Sequence, residues 1–94
     1  MNIKEKIIFF ILGFHEGNIN RVLHVIGILI MLYAIYSKNI GYVILSLVIM
    51  EYGHWHQYRI GNASYKSQVK EVVNIQLILI VFVLSVLSAY FYYF

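Results

Sequence analysis

Two short polar clusters lie at the ends of strongly apolar stretches of this sequence. The first runs from His15 to His24, and the second, from Met50 to Arg59, directly continues the apolar stretch Ile40 to Ile49. Ionisable side chains beside or inside a stretch of membrane-grade hydrophobicity cost free energy unless they are paired, hydrogen-bonded or bound to a metal. All four histidines of the chain lie in these two clusters, together with Glu51. Imidazole and carboxylate groups, in a chain without cysteine, are suited to bind iron, zinc, copper or manganese.

Helical spacing assigns the side chains of the second cluster to faces. Positions three and four apart share a face, which groups Glu51 with His54 and His54 with Tyr58, whereas His56 falls on another face. Glu51-x-x-His54 is the spacing at which one helix supplies two ligands in carboxylate-bridged di-iron bundles.

In the first cluster, Asn20, His24 and Gly27 share a face, and Gly27 allows a neighbouring helix to approach closely. His15 lies in the preceding turn, from which it can fold over the same site. The candidate metal ligands are therefore His15, His24, His54, His56 and Glu51. The plainer alternative is that the histidines hydrogen-bond at a membrane interface and that Glu51 pairs with Arg21 or Arg59.

The composition identifies the class of protein. Hydrophobic residues make up 62% of the 94 residues and charged residues only 12%, against about 25% charged residues in soluble domains. We therefore expect an integral membrane protein. The net charge of +3 is spread between the apolar segments, as membrane topology signals are, so we do not expect nucleic acid as a partner.

The apolar stretches predict an all-α, polytopic membrane helical bundle that forms a single domain. Asn18 or Asn20 is the expected N-cap of the first spanning helix. The Ser37-Lys38-Asn39 turn is so short that the first two spans must form an antiparallel hairpin, which brings the two polar clusters together. We expect a short interfacial or re-entrant helix and polar turn at residues 1–20, spans at 21–37, 40–58 and 72–91, and a cytoplasmic loop at 59–71.

The basic residues predict the orientation of this bundle. Six of the seven fall on one side of the predicted layout, and only Lys38 falls on the other. Because cytoplasmic flanks favour Lys and Arg, both polar clusters are expected to face the cytoplasm, with the C-terminus on the opposite side. Three short spans bury little surface, so we also expect a homo-oligomer.

The stretch from His15 to Gly27 resembles the first signature of the 2-hydroxy fatty acid dioxygenase family of membrane enzymes. That signature has a histidine, an asparagine five residues later, a histidine four after that, and then a glycine, which here are His15, Asn20, His24 and Gly27. Gly53-His54 is similar to the family's Gly-His element. The sequence departs from the family pattern at Tyr58, where an acidic residue is usual, and in having no proline.

This resemblance implies an all-helical, Fe(II)-dependent enzyme of fatty acid α-oxidation, which shortens 2-hydroxy fatty acids by one carbon with molecular oxygen. Its histidines would hold the metal. On this reading Asn20 or Arg21 orients the substrate carboxylate, and Tyr52 or Tyr58 donates a proton. We thus predict a membrane lipid or fatty acid substrate, with Asn20 and Tyr58 as the candidate catalytic residues.

Two alternative functions stay open at this point. The first is a haem-binding membrane subunit with His24 and His54 as axial ligands, which needs the two imidazoles to face each other across a ring-width gap. The second is a non-enzymatic small membrane subunit, in which the histidines and Glu51 only hydrogen-bond between helices. Zinc is the alternative to iron as a bound ion.

Overall fold

The computed structural model describes all 94 residues and contains only helices, which confirms the predicted all-α class. Helix α1 spans Ile3–Ile8 and continues as a π-helical segment over Phe9–Gly13. Three long helices follow: α2 at Asn18–Ser37, α3 at Ile40–Ile60 and α4 at Ala63–Tyr93.

Helices α2 and α3 form the predicted antiparallel hairpin. Lys38 ends α2 in the left-handed conformation, with φ of 52°, and the Asn39 side chain accepts hydrogen bonds from the first backbone amides of α3. The buried residues of α2 recur every seventh position, as in helices that pack along a narrow seam, and they are Asn20, Gly27 and Ala34. Small or polar residues also face the seam from α3, so the two backbones lie close together.

The turn before α2 differs from the prediction in its capping residue. Gly17 is the N-cap, with φ of +98°, and neither Asn18 nor Asn20 caps the helix, since both belong to it. Glycine adopts positive φ without the steric cost that other residues incur. The chain needs this conformation to turn sharply from the π-helical segment into α2. Asn20 is free to bond the turn instead.

Residues 63–71, predicted to belong to a cytoplasmic loop, are helical and form the start of α4. The loop prediction was wrong because it rested on polarity alone. The Asn62 side chain accepts a hydrogen bond from the Tyr65 amide at 2.8 Å, which caps the helix. Tyr65 and Val69 are then buried against Phe9 and Phe14, and this packing stabilises the first turns.

Two helices, α2 and α4, are long and apolar enough to cross a membrane by length and composition. Within the most apolar 18-residue stretch of α4 only 6% of the residues are buried, so α4 does not resemble the core helix of a soluble protein. Of the three membrane-spanning helices predicted, two are therefore supported by length and composition. Helix α3 carries Glu51, two histidines and Arg59 in its second half, which lowers its apolar character.

Candidate metal centre

Three of the four histidines converge at the open end of the α2–α3 hairpin. One ring nitrogen of each of His15, His24 and His54 lies within 4.8 Å of the other two. His24 Nε2 and His54 Nε2 are 3.0 Å apart, and the His15 ring lies edge-on to both of the other imidazoles. We call these three residues the histidine cluster. The hairpin thus brings the two polar clusters of the sequence into contact, as predicted.

Backbone carbonyls set the tautomers of two of these imidazoles. His24 Nδ1 donates to the Asn20 carbonyl at 2.8 Å, and His15 Nδ1 is 3.2 Å from the Ile11 carbonyl, which also requires a donor. In the neutral rings Nε2 of both residues then carries the lone pair. A hydrogen bond from the second ring nitrogen to a carbonyl is the usual support of a metal-binding histidine. Both imidazoles are therefore held in the form that binds a metal.

His54 is the most buried member of the histidine cluster, at 7% exposed. If His54 Nε2 donates to the lone pair of His24 Nε2, its Nδ1 is left without a hydrogen, and that atom has no hydrogen-bond partner. If instead Nδ1 carries the hydrogen, two lone pairs face each other at 3.0 Å. Burying an unpaired polar atom or opposing two lone pairs costs free energy. A cation bound between the imidazoles removes the cost of the two opposed lone pairs.

Asn20 and Gly53 hold the two halves of the cluster at their spacing. Asn20 is fully buried, and its Nδ2 donates to the Phe14 carbonyl at 3.0 Å and to the Glu16 carbonyl at 3.1 Å, which ties down the turn that carries His15. A Cβ atom at Gly53 would lie 2.8 Å from Asn20 Oδ1 and 3.3 Å from Asn20 Cα. Glycine at this position lets α3 reach α2 one residue before His54.

The N-terminal segment covers the histidine cluster. The Phe14 ring stacks on the His54 imidazole with a centroid distance of 3.9 Å and an interplanar angle of 12°. Arg21 Nε donates to the His15 carbonyl at 3.3 Å, and this contact further fixes the turn. Burial, followed by the proximity of His24, lowers the pKa of His15 below its usual value. His15 is therefore kept neutral at neutral pH, as a metal ligand must be.

The remaining candidate ligands lie outside the histidine cluster. His56 is not among the three converging residues, in keeping with the helical face assigned to it. Glu51 Oε2 accepts a hydrogen bond from Gln76 of α4 and forms no ion pair. The alternative pairing of Glu51 with Arg21 or Arg59 is not present. Arg59 instead lies over the Trp55 ring at 5.3 Å.

Tyr58, the second candidate catalytic residue, packs against a buried hydrophobic cluster of the N-terminal segment and α4. The cluster consists of Phe9, Phe14, Tyr65, Val69 and Val72. It lies beside a cleft of about 150 Å³ between α3 and α4. We call this the Glu51 cleft; it is lined by Phe14, Glu51, His54, Trp55, Tyr58, Val69 and Gln76. Neither His15 nor His24 lines it. The cleft therefore meets the histidine cluster only at His54.

Two residues that shape the site were not singled out from the sequence. Phe14 was assigned to a short apolar helix, and no sequence signal places its ring on His54. Gln76 did leave a signal, because it and Asn74 are the two amides inside the apolar run of α4, and Gln76 is only 9% exposed. Polar residues inside such runs usually face other helices. The sequence therefore indicates that a polar residue of α4 contacts another helix, but it does not indicate that this contact is with Glu51.

Comparison of the chain with protein-family models, with curated proteins and with solved structures found no match.

Proposed function

We propose that this chain is a membrane-embedded, Fe(II)-dependent dioxygenase that shortens 2-hydroxy fatty acids by one carbon, with the metal held by His15, His24 and His54. The convergence of these three imidazoles, two of them supported by backbone carbonyls, is the observation that carries the proposal. The substrate class follows from the family resemblance of His15, Asn20, His24, Gly27 and Gly53-His54.

The donor set fits a single ion. Metal–nitrogen bonds of about 2.0–2.1 Å place the ligands of one ion about 3–4 Å apart. The ring nitrogens of the histidine cluster span 3.0 to 4.8 Å, so small side-chain rotations suffice to bind an ion. Fe(II) held by a few protein ligands, with open positions, supplies the activation of molecular oxygen in such enzymes.

The residues around the cluster have positioning roles in this proposal. Asn20 and Arg21 bond the turn that carries His15, so they orient a ligand rather than the substrate carboxylate. Phe14 covers the His54 ring and keeps water from that face. Tyr58 lies beside the Glu51 cleft next to His54 and is the residue we propose as proton donor.

The geometry does not favour the haem alternative. A macrocycle with two axial histidines needs a flat gap between the imidazoles, whereas His24 and His54 touch through their Nε2 atoms and their ring centroids are 4.5 Å apart. The third imidazole of His15 also occupies the space beside them. A single metal ion needs no such gap.

We further propose that α3 crosses the membrane between α2 and α4, with the histidine cluster on the cytoplasmic side. Six basic residues support this orientation, since they lie in α1, at the open end of the hairpin and in the first turns of α4, away from Lys38. They are Lys4, Lys6, Arg21, Arg59, Lys66 and Lys70.

The chain has no cysteine, so single cysteines at Ser64 and Ser37 can be labelled from either side of the membrane. Ser64→Cys should react from the cytoplasm and Ser37→Cys from outside; the reverse pattern would refute the orientation. We also expect a homo-oligomer, because three short spans bury little surface within one chain.

Metal analysis of the purified chain tests the proposal directly. We expect stoichiometric iron in the wild type, and its loss in His24→Ala and in His54→Ala. Each substitution removes one of three ligands, so we expect a loss of affinity beyond the roughly 10- to 100-fold that removal of a ligand's hydrogen-bond partner causes. His56→Ala is the matched control. It removes an imidazole from the same turn of α3 as His54, but this imidazole lies outside the histidine cluster.

The outcomes separate the alternatives. Equal metal loss in His56→Ala would show that the cluster is not the site. A well-folded wild type without iron or zinc would leave the histidines as hydrogen-bonding residues and end the enzyme proposal. If iron is bound, the activity is tested by measuring the product that is one carbon shorter than a 2-hydroxy fatty acid. The unhydroxylated acid of equal length is the control substrate.

A further inference from the structure

The interface between α3 and α4 contains a carboxylate that the histidine cluster does not use. Glu51 is partly buried, and its only hydrogen-bond partner is the neutral side chain of Gln76. Two nearby cations of the chain lie over aromatic rings, Arg59 over Trp55 and Lys66 over Tyr58, and neither forms an ion pair with Glu51. The Glu51 carboxylate therefore has no cationic partner in the chain, and a cationic ligand can supply one.

Glu51 also lines two neighbouring cavities of different character. On one side it lines the Glu51 cleft, together with the rings of Trp55 and Tyr58. On the other side it borders a groove of about 300 Å³ whose remaining lining is entirely aliphatic: Ile44, Leu47, Val48, Ile80 and Leu84. These residues extend from Glu51 toward the middle of α3 and α4, a distance of about 10 Å along α3.

We propose that the α3–α4 interface binds a single-chain amphiphile with an ammonium head, such as a long-chain primary amine. The alkyl chain lies in the aliphatic groove, and the ammonium group lies in the Glu51 cleft against the carboxylate. The Glu51 carboxylate attracts the ammonium head, since opposite charges attract more strongly away from bulk water. A fatty acid anion whose chain lies in the aliphatic groove does not suit this site, since its carboxylate would face Glu51. The site adjoins the proposed metal centre at His54, but its binding contacts use no residue of the histidine cluster.

The single tryptophan of the chain reports directly on this site. Trp55 lines the Glu51 cleft, so the intrinsic tryptophan fluorescence of the full chain in zwitterionic lipid nanodiscs should change when the cleft fills. The probes are dodecylamine, 1-dodecanol and dodecanoate, which share a chain and differ in the head. In the wild type we expect dodecylamine to half-saturate at a concentration about tenfold lower than 1-dodecanol, and dodecanoate to be weakest.

Two variants separate the head site from the chain site. Glu51→Gln should abolish the preference for the amine over the alcohol, because the amide keeps the shape of the side chain without its charge. Leu84→Phe fills the groove and should weaken both ligands equally, leaving their ratio unchanged. Circular dichroism verifies that both variants keep the helix content of the wild type.

The wild-type ranking alone decides the proposal, even if a variant fails to fold. A dodecanoate that binds as well as the amine, or the absence of a saturable response to any probe, would overturn it. An amine preference that persists in Glu51→Gln would also overturn it. His24→Ala should retain the full preference, so failure of the metal proposal and failure of this one are distinguishable.

Discussion

The two interfaces of α3 are built in opposite ways. Toward α2, the helix presents small side chains, and Ser46 Oγ donates to the Gly27 carbonyl at 2.6 Å inside the hairpin. Toward α4, it is separated by a cleft and an aliphatic groove, and the main polar contact is that of Glu51 with Gln76. Close backbones can hold metal ligands at fixed spacing, whereas a loose interface leaves room for a ligand. The same helix therefore supports both proposed sites.

The largest effect is expected from widening the tight interface at Gly53. Gly53→Leu forces side-chain atoms into Asn20 and Leu23, and we expect a loss of about 3 kcal/mol, at the upper end of the cost of overpacking. The histidine cluster should separate, so metal content should fall together with thermal stability in detergent. Gly41→Leu is the matched control, because only the side chain of Asn39 lies near that position. Equal losses in both variants would mean that close packing at Gly53 is not what assembles the site.

A smaller effect is expected from Asn20→Leu, which keeps the branching of the side chain and removes two hydrogen bonds to backbone carbonyls, one buried and one partly buried. At about 1 kcal/mol per bond, the loss should be about 2 kcal/mol. His15 would be loosened, while His24 keeps its bond to the backbone carbonyl of residue 20. Metal affinity should therefore fall by about tenfold, the usual size of such a supporting contact, without the complete loss expected for His24→Ala. Unchanged metal affinity would show that Asn20 does not position His15.

The smallest effects compare one hydrogen bond from each interface. Ser46→Ala removes a buried bond of the tight interface and should cost about 1 kcal/mol. Gln76→Leu removes the partner of a carboxylate that also lines an open cleft, and should cost less than about 1 kcal/mol because water reaches Glu51. Thermal unfolding of the two variants in one detergent measures the difference. A larger loss for Gln76→Leu would mean that α3 and α4 are packed as firmly as the hairpin.

The helix boundaries were predicted correctly where the length of a connection decides them, and wrongly where side-chain packing decides them. The Ser37-Lys38-Asn39 turn and the hairpin are predictable, since short connections between long apolar stretches allow few geometries. Two boundaries were predicted wrongly: the cap of α2 is Gly17, not Asn18 or Asn20, and α4 begins at Ala63 rather than at residue 72. In both places a side-chain contact outside the helix itself decides the conformation. Asn20 bonds the turn, and Tyr65 packs on Phe14.

The candidate site was predictable in part for the same reason. Helical spacing separates His54 from His56 without knowledge of the neighbouring helices, and the two hairpin ends bring His24 to His54. Glu51 shares a face with His54, yet it turns to Gln76 of α4 rather than to the histidines. The rotation of α3 between its two neighbours decides this, and no residue of α3 specifies that rotation by itself.

The sequence by itself determined the helical class, the apolar stretches and the residues able to bind a metal, because side-chain type and spacing act within one helix. Only the tertiary structure decided which of these residues meet. The His15 turn folds back through Gly17 and Asn20, Phe14 covers His54, and Glu51 lies between a polar cleft and an aliphatic groove. These contacts join residues far apart in the chain, so they depend on how closely each pair of helices can pack.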